Sequence, residues 1–304
     1  MPSALGYSHP GYAQSLAEFG TPVELPRSGG WILERPVPGS PYRDAMGSYP
    51  LLLCRDWSAL RADLQELQGR GLVTVSAVPE LFGEHDPQLL RECFGDVVIP
   101  FKEHFITDMQ RPLAESVSRH HRKYARKALL QVQVEVVGNP PGFLDEWVEL
   151  HRNLVARHEV TGIRAYSRRA FSMQLNLPGI VVMRAKYRGS TVGAQLWFQH
   201  EHVAYGHVLA FSLLGYEVGA PYALYWFALE HFLGKVRWCS MGGVSGTDVA
   251  ESGGLSQFKR GWATTTRTAY FCGRVYDRRK YEELVGQKGS GPEGFFPAYR
   301  TSFT

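Results

Sequence analysis

Apolar and polar residues alternate along three consecutive stretches in the second half of the chain. In Thr191–His200, Val192, Ala194, Leu196 and Phe198 share one face of a strand, while Gln195 and Trp197 share the other. In His202–Phe211, Val203, Tyr205, His207 and Leu209 point the same way. Ile180–Tyr187 precedes them across Arg188-Gly189-Ser190, so the pattern predicts a hairpin followed by a third strand. The period then changes. Leu224, Phe227, Ala228 and Phe232 recur at helical spacing; Pro221 suits a first helical position, where its missing N–H costs nothing, and Gly234 closes the helix. Val236–Met241 follows as a short buried strand, and Gly242, Gly243 and Gly246 let the backbone turn sharply and approach a ligand. Phe258 to Trp262 then reads as a basic-aromatic tail.

Elsewhere the pattern is more broken. Trp31–Arg35 reads as a strand ended by Pro36, Pro38, Gly39 and Pro41, and Tyr49–Cys54 as a strand end. Asp56-Trp57-Ser58 caps a helix with Leu60, Leu64 and Leu67 on one face; Leu72–Val78 is a strand and Pro87–Phe94 a short helix. From Ser116 the composition turns basic. His120-His121-Arg122-Lys123 and Arg126-Lys127 predict a helix with Tyr124, Ala128 and Leu129 facing inward, and Val132, Val134 and Val136 then alternate as a strand. Phe143, Trp147, Leu150 and Leu154 form an apolar helical stripe, and Tyr166-Ser167-Arg168-Arg169 begins another helix. Thr264–Tyr276 supplies closing β-structure and Tyr281–Val285 a short helix. The expected division is a lobe over 1–112, a second over 113–285, and a flexible or closing segment over 286–304.

The chain's 304 residues, 44% of them hydrophobic, suffice for one large core or two medium ones. Its 33 Lys+Arg against 29 Asp+Glu lean only mildly toward anionic partners. Cys54, Cys93, Cys239 and Cys272 form no close pair, which argues against a disulfide framework or zinc site and fits a reducing compartment. No secretory signal or membrane-spanning run is visible, so a cytoplasmic protein is expected. Adjacent His120 and His121 cannot share a helix face, and no metal is expected.

Lys259 stands in Phe258-Lys259-Arg260-Gly261-Trp262, a cation between aromatic residues. Together with Tyr222-Ala223-Leu224-Tyr225-Trp226, Gly242-Gly243-Val244-Ser245-Gly246 and Gly254-Leu255, this segment resembles the C-terminal signature of the Fem-type peptidyltransferases. Those are two-lobed relatives of the GNAT-type N-acetyltransferases. The resemblance implies an α/β (α+β) fold of two tandem acetyltransferase-like lobes, with mixed sheets flanked by helices. It also implies transfer of an amino acid from aminoacyl-tRNA to an amine on a cell-wall precursor or small peptide-like metabolite. Aminoacyl-tRNA would be a co-substrate and no further cofactor is expected; acyl-CoA is the alternative donor. A non-catalytic binding protein on the same fold is the third reading. The family's inserted pair of long helices has no counterpart here.

Amide formation needs a neutral amine, a held carbonyl and a partner for the tetrahedral oxyanion. Lys259 suits the last role, and the resemblance assigns it the same way; the plainer alternative is that its ammonium merely contacts carbonyls at the end of a neighbouring element. Tyr222 orients the acceptor or carbonyl, or packs with a satisfied hydroxyl. His207 has the ordinary pKa of a general base at neutral pH. Phe258, Tyr205, Gln195, Trp226 and Asp248 are the substrate-binding candidates, and Arg122, Lys123, Arg126 and Lys127 the tRNA-facing cations. Acetyltransferases cradle the coenzyme A pyrophosphate on backbone N–H groups in a Q/R-x-x-G-x-G/A turn. Here Tyr216-Glu217-Val218-Gly219-Ala220-Pro221 lacks the leading Gln/Arg, adds a carboxylate and loses an N–H at Pro221, which makes coenzyme A the weaker donor.

Overall fold

The structure, a computed structural model, describes residues 4–244, 253–288 and 296–300. In chain order the first elements are α1 (Pro10–Ser15), β1 (Thr21–Leu25), β2 (Gly30–Pro36), β3 (Arg43–Gly47), α2 (Leu60–Glu66), β4 (Leu72–Ala77), α3 (Pro87–Phe94) and β5 (Val97–Asp108). Then come α4 (Leu113–Ser116), α5 (Arg119–Leu129), β6 (Gln133–Val136), α6 (Leu144–His158), α7 (Arg168–Gln174), β7 (Ile180–Tyr187), β8 (Ser190–His200) and β9 (Val203–Phe211). The last are α8 (Leu213–Glu217), α9 (Ala220–Phe232), β10 (Trp238–Gly243), α10 (Gly253–Arg260), β11 (Thr265–Val275) and α11 (Arg278–Lys288).

The chain forms two compact units: Met1–Phe101 with Gly162–Tyr166 and Ala269–Thr304, and Lys102–Thr161 with Ser167–Thr268. These bounds differ from the expected 1–112, 113–285 and 286–304. The C-terminal segment belongs with the first unit because Cys272–Val275 pair antiparallel with Ala77–Thr74. Leu284 and Tyr299 also pack with Val37 and Val73.

In the first unit the strand order is β1-β2-β3-β4-β11, mixed because β3 and β4 run parallel. Leu60 and Leu64 of α2 and Leu90 and Phe94 of α3 bury against Ile32, Ala45, Leu72 and Val75. Asp44, fully buried, receives Arg300 Nε at 2.6 Å and Nη2 at 2.9 Å, Arg35 Nε at 3.2 Å and the Tyr299 hydroxyl at 3.2 Å. A carboxylate out of water is tolerable only with its lone pairs filled in this way.

In the second unit the order is β5-β10-β9-β8-β7-β6. The hairpin and third strand run β7-β8-β9 antiparallel, as the alternation predicts. β10 lies between β5, antiparallel, and β9, parallel. Neighbours Trp197 and Phe198 mark the two sheet faces: Trp197 meets Phe232 of α9, and Phe198 meets His207 on the side of α6 and α7. No helix among the described residues is long and apolar enough to cross a membrane.

Candidate active site

The site grows from the end of β10. Gly242 has φ +71°, a conformation glycine adopts without the Cβ clash of other residues. The β5–β10 register shifts between Ser240 and Gly243, so the strand bulges there. A Cβ on Gly243 would lie 3.0 Å from His104 Cδ2 and 3.1 Å from Lys102 Cβ, so β5 can approach only a glycine without giving way. Lys259 reaches the carbonyls of this bulge: its Nζ donates to Gly243 O at 2.8 Å and Gly242 O at 3.4 Å.

Lys259 is 9% exposed on α10, a helix where the sequence suggests only a tail. Burial first, and Lys102 second, lower its pKa to about 8. His104, opposite Gly243 on β5, is equally buried; desolvation, then Lys259 and Lys102, push it down to about 3, and its Nδ1 has no partner. Three basic groups therefore converge on one bulge.

An aromatic set surrounds α10. Phe258 lies 5.1 Å from Tyr222 and 5.3 Å from Tyr225 between ring centroids, and Trp262 stacks on Tyr225 at 5.6 Å with planes 17° apart. His121 of α5 meets Trp262 edge-on at 4.9 Å, and its Nε2 donates to the Phe258 carbonyl at 2.9 Å. Its Nδ1 lies 2.9 Å from Ser118 Oγ, the N-cap of α5. A Cβ at position 261 would fall 2.1 Å from the His121 ring, so the glycine of the Phe-Lys-Arg-Gly-Trp segment makes room for that histidine. His120, His121, Tyr222, Gln257, Phe258 and Arg260 line a cleft of about 480 Å³. Burial, then Tyr124, raises the Tyr222 pKa, so its phenol stays protonated at neutral pH.

The expected residues are only partly gathered. Phe258 and Tyr222 come together, with Lys259 next along α10 and turned to β10; Trp226 packs at the edge of the same core. Gln195 lies on the α9 side of the sheet, with Oε1 accepting from Trp197 Nε1 at 2.9 Å and Nε2 unpartnered. Tyr205 is buried where β9 pairs with Ser240. His207 sits across the sheet from Tyr222. It is the extra residue of a β9 bulge, since Leu196 pairs with Val208 and Trp197 with Gly206, and its Nε2 meets Gln174 Oε1 at 3.1 Å. Burial, and then His151, hold it well below an ordinary histidine. It is therefore not among the groups around Lys259. Asp248 lies outside the described residues.

On α5 the inward face differs from the expected Tyr124, Ala128 and Leu129. His121, Ala125 and Ala128 turn inward, whereas Tyr124 (43% exposed) and Leu129 (39%) face outward with Lys123, Arg126 and Lys127; Arg122 is half-buried. The 216–221 stretch forms the end of α8 and the start of α9. Val218 N donates to Leu214 O and Gly219 N to Tyr216 O, so those amides are already engaged. Sequence reasoning misses His104, Lys102 and His121. The first two lie on β5, whose alternation is interrupted by Pro100, and His121 reads only as one of two adjacent histidines on a basic helix.

No protein-family model and no curated protein matches the sequence. Solved structures do. FemX is 14% identical over 90% of this chain and 93% of its own, with a TM-score of 0.68. The C-terminal domain of a protein assigned as a lysylphosphatidylglycerol synthetase in Agrobacterium fabrum is 13% identical over 90% and 91%, with a TM-score of 0.63. L-PGS from Bacillus licheniformis is 13% identical over 88% and 93%, with a TM-score of 0.59. The chain thus has a Fem-like fold, with mixed sheets flanked by helices.

Proposed function

We propose that this protein is an aminoacyltransferase that forms an amide by moving an amino acid from aminoacyl-tRNA to the amine of a peptide-like metabolite or cell-wall precursor. The observation that carries the reading is Lys259, a buried ammonium fixed by Gly242 O and Gly243 O, on the helix whose Gln257, Phe258 and Arg260 line an aromatic cleft. An ammonium has three N–H bonds. Two meet these carbonyls, and this reading assigns the third to the reacting oxygen. With a pKa of about 8 the group remains mostly charged at neutral pH.

The acceptor nitrogen attacks the ester carbonyl carbon, and the carbonyl oxygen becomes the oxyanion that Lys259 meets. Collapse breaks the bond to the ribose oxygen, which takes up a proton as the amine gives one up. Tyr222, protonated, can donate to the same carbonyl or orient the acceptor. Engaged amides at Val218 and Gly219, together with Pro221, favour an aminoacyl ester over a coenzyme A thioester. Aminoacyl-tRNA as donor places the work in the cytoplasm.

The test is incubation with charged tRNA and a panel of amines, following ester loss and amide formation, with and without RNase A. Product that survives complete RNA digestion when acetyl-CoA is supplied would replace this reading with N-acylation from a thioester.

A further inference from the structure

We propose that the cleft beside Lys259 contains a nucleotide subsite: a base stacks on the rings of His120, Tyr124 and Tyr222, and its phosphates meet Arg260 and the first turns of α5. His120 and Tyr124 have ring centroids 4.4 Å apart with planes 31° apart, and Tyr124 and Tyr222 are 5.2 Å apart with planes 32° apart. Three rings in one run would serve packing if they were buried. Here Tyr124 is 43% exposed and His120 is exposed, and only Tyr222 reaches the core. Charge stands beside them. Arg260 lines the cleft, and Arg119, Arg122 and Lys123 follow on α5, none of them ion-paired to a carboxylate among the described residues. The Nε of Arg122 is buried with no partner. Exposed aromatic rings next to unpaired cations are the combination by which proteins hold single-stranded nucleic acid, because every base has a π-face and every linkage a charge.

The subsite adjoins Phe258, so a nucleotide bound there lies one residue along α10 from the candidate catalytic lysine. The inference rests on the aminoacyl-tRNA reading for the identity of that nucleotide, the 3′-terminal adenosine. The adenosine of a coenzyme A thioester has the same chemistry, and the experiment separates the two.

A short, uncharged RNA hairpin carrying 2-aminopurine as its 3′-terminal base is the probe. Binding to the wild-type protein is expected to quench its fluorescence by stacking. Tyr124→Phe should keep the quench and the affinity, while Tyr124→Ala combined with His120→Ala should lose the quench and weaken binding about tenfold or more. Both side chains are exposed, and circular dichroism with a urea midpoint confirms that the variants fold. Equal quenching in wild type and the double variant, or no quench in either, overturns the subsite. Competition of the hairpin by acetyl-CoA, lost in the double variant, supports the subsite but assigns it to a thioester donor. Transfer from charged tRNA without a quench would sink the subsite and leave the proposed function standing; a quench without transfer would do the reverse.

Discussion

His121 Nε2 donates to the carbonyl of Phe258 at 2.9 Å, tying the basic helix α5 to the helix that carries Lys259. A carbonyl can only accept, so Nε2 carries the proton. In the neutral ring Nδ1 then accepts from Ser118 Oγ, which itself accepts from the His121 backbone N–H at 3.2 Å. The imidazole beside Tyr222 is thus held at both ring nitrogens.

Filling the space behind that ring should disturb both helices. Gly261→Ala puts a Cβ 2.1 Å from His121, and the ring cannot move without releasing Phe258 O or Ser118 Oγ. We expect destabilisation of about 1–3 kcal/mol, as for other overpacked sites, with a loss of transfer activity. Chemical denaturation measures the first and a product assay the second; an unchanged urea midpoint would contradict the packing described.

Lys259→Met should fold and lose transfer. Removing one donor to a developing oxyanion costs on the order of a hundredfold or more in rate. Because burial lowers the lysine's pKa, the unfolded chain holds this proton more tightly than the folded one. The charge therefore weighs against the fold below pH about 8, and that penalty fades as pH rises above it. The variant should show a flatter stability profile between about pH 8 and 10.5. Turnover within a few-fold of wild type would remove Lys259 from the mechanism.

Arg126→Glu with Lys127→Glu should weaken tRNA binding and flatten its salt dependence by about one unit of slope for each phosphate no longer neutralised. Both positions are exposed, so the fold should be untouched. Reaction with a short aminoacyl minihelix should suffer less. Filter binding from low to moderate salt gives the slopes, and equal slopes would clear these two cations of any role at a phosphate.

Stability should fall with acid from about pH 6.5. His104 titrates near 3 and His151 near 4, chiefly through burial, against an ordinary 6.5. Above 6.5 both folded and unfolded forms are neutral; below it the unfolded chain binds protons that the folded chain refuses, so stability drops as pH falls toward those values. Urea midpoints between pH 7 and 5 read the slope before most carboxylates enter. His151→Phe should reduce it, and an identical slope would show that His151 is not the sink.

The sequence carries most of the second unit's architecture. Clean alternation in Thr191–His200 reads correctly because one residue slips the whole face, and the α9 stripe reads correctly because it is long and apolar. β5 and β3 are illegible: Pro100 and Lys102 interrupt the first, and Asp44 sits in the second as a buried carboxylate whose partners, Arg35, Tyr299 and Arg300, are mostly far away in sequence. α10 escapes a sequence reading since its start follows a glycine-rich stretch. Phe258 and Tyr222 stand out in the sequence because their local segments are unusual, and the structure brings their ring centroids within 5.1 Å. His207 misleads because alternation says which residues share a face and not which helix covers it: His207 meets Phe198 and Gln174, on the side of α6 and α7. His104 can be found only through the β5–β10 pairing, a long-range fact.

The anchoring of Lys259 by Gly242 O and Gly243 O bears on how such a chain tolerates change. Main-chain oxygens are present whatever side chains surround them. The address of the charge is therefore written in the path of the backbone, and neighbouring residues can be exchanged without erasing it. Vulnerability is concentrated in the two glycines: at 242 a side chain meets an unfavourable φ, and at 243 it meets His104. A saturation scan around the lysine would thus show intolerance at these two glycines, as at Gly261, a mutational map set by geometry and not by side-chain chemistry.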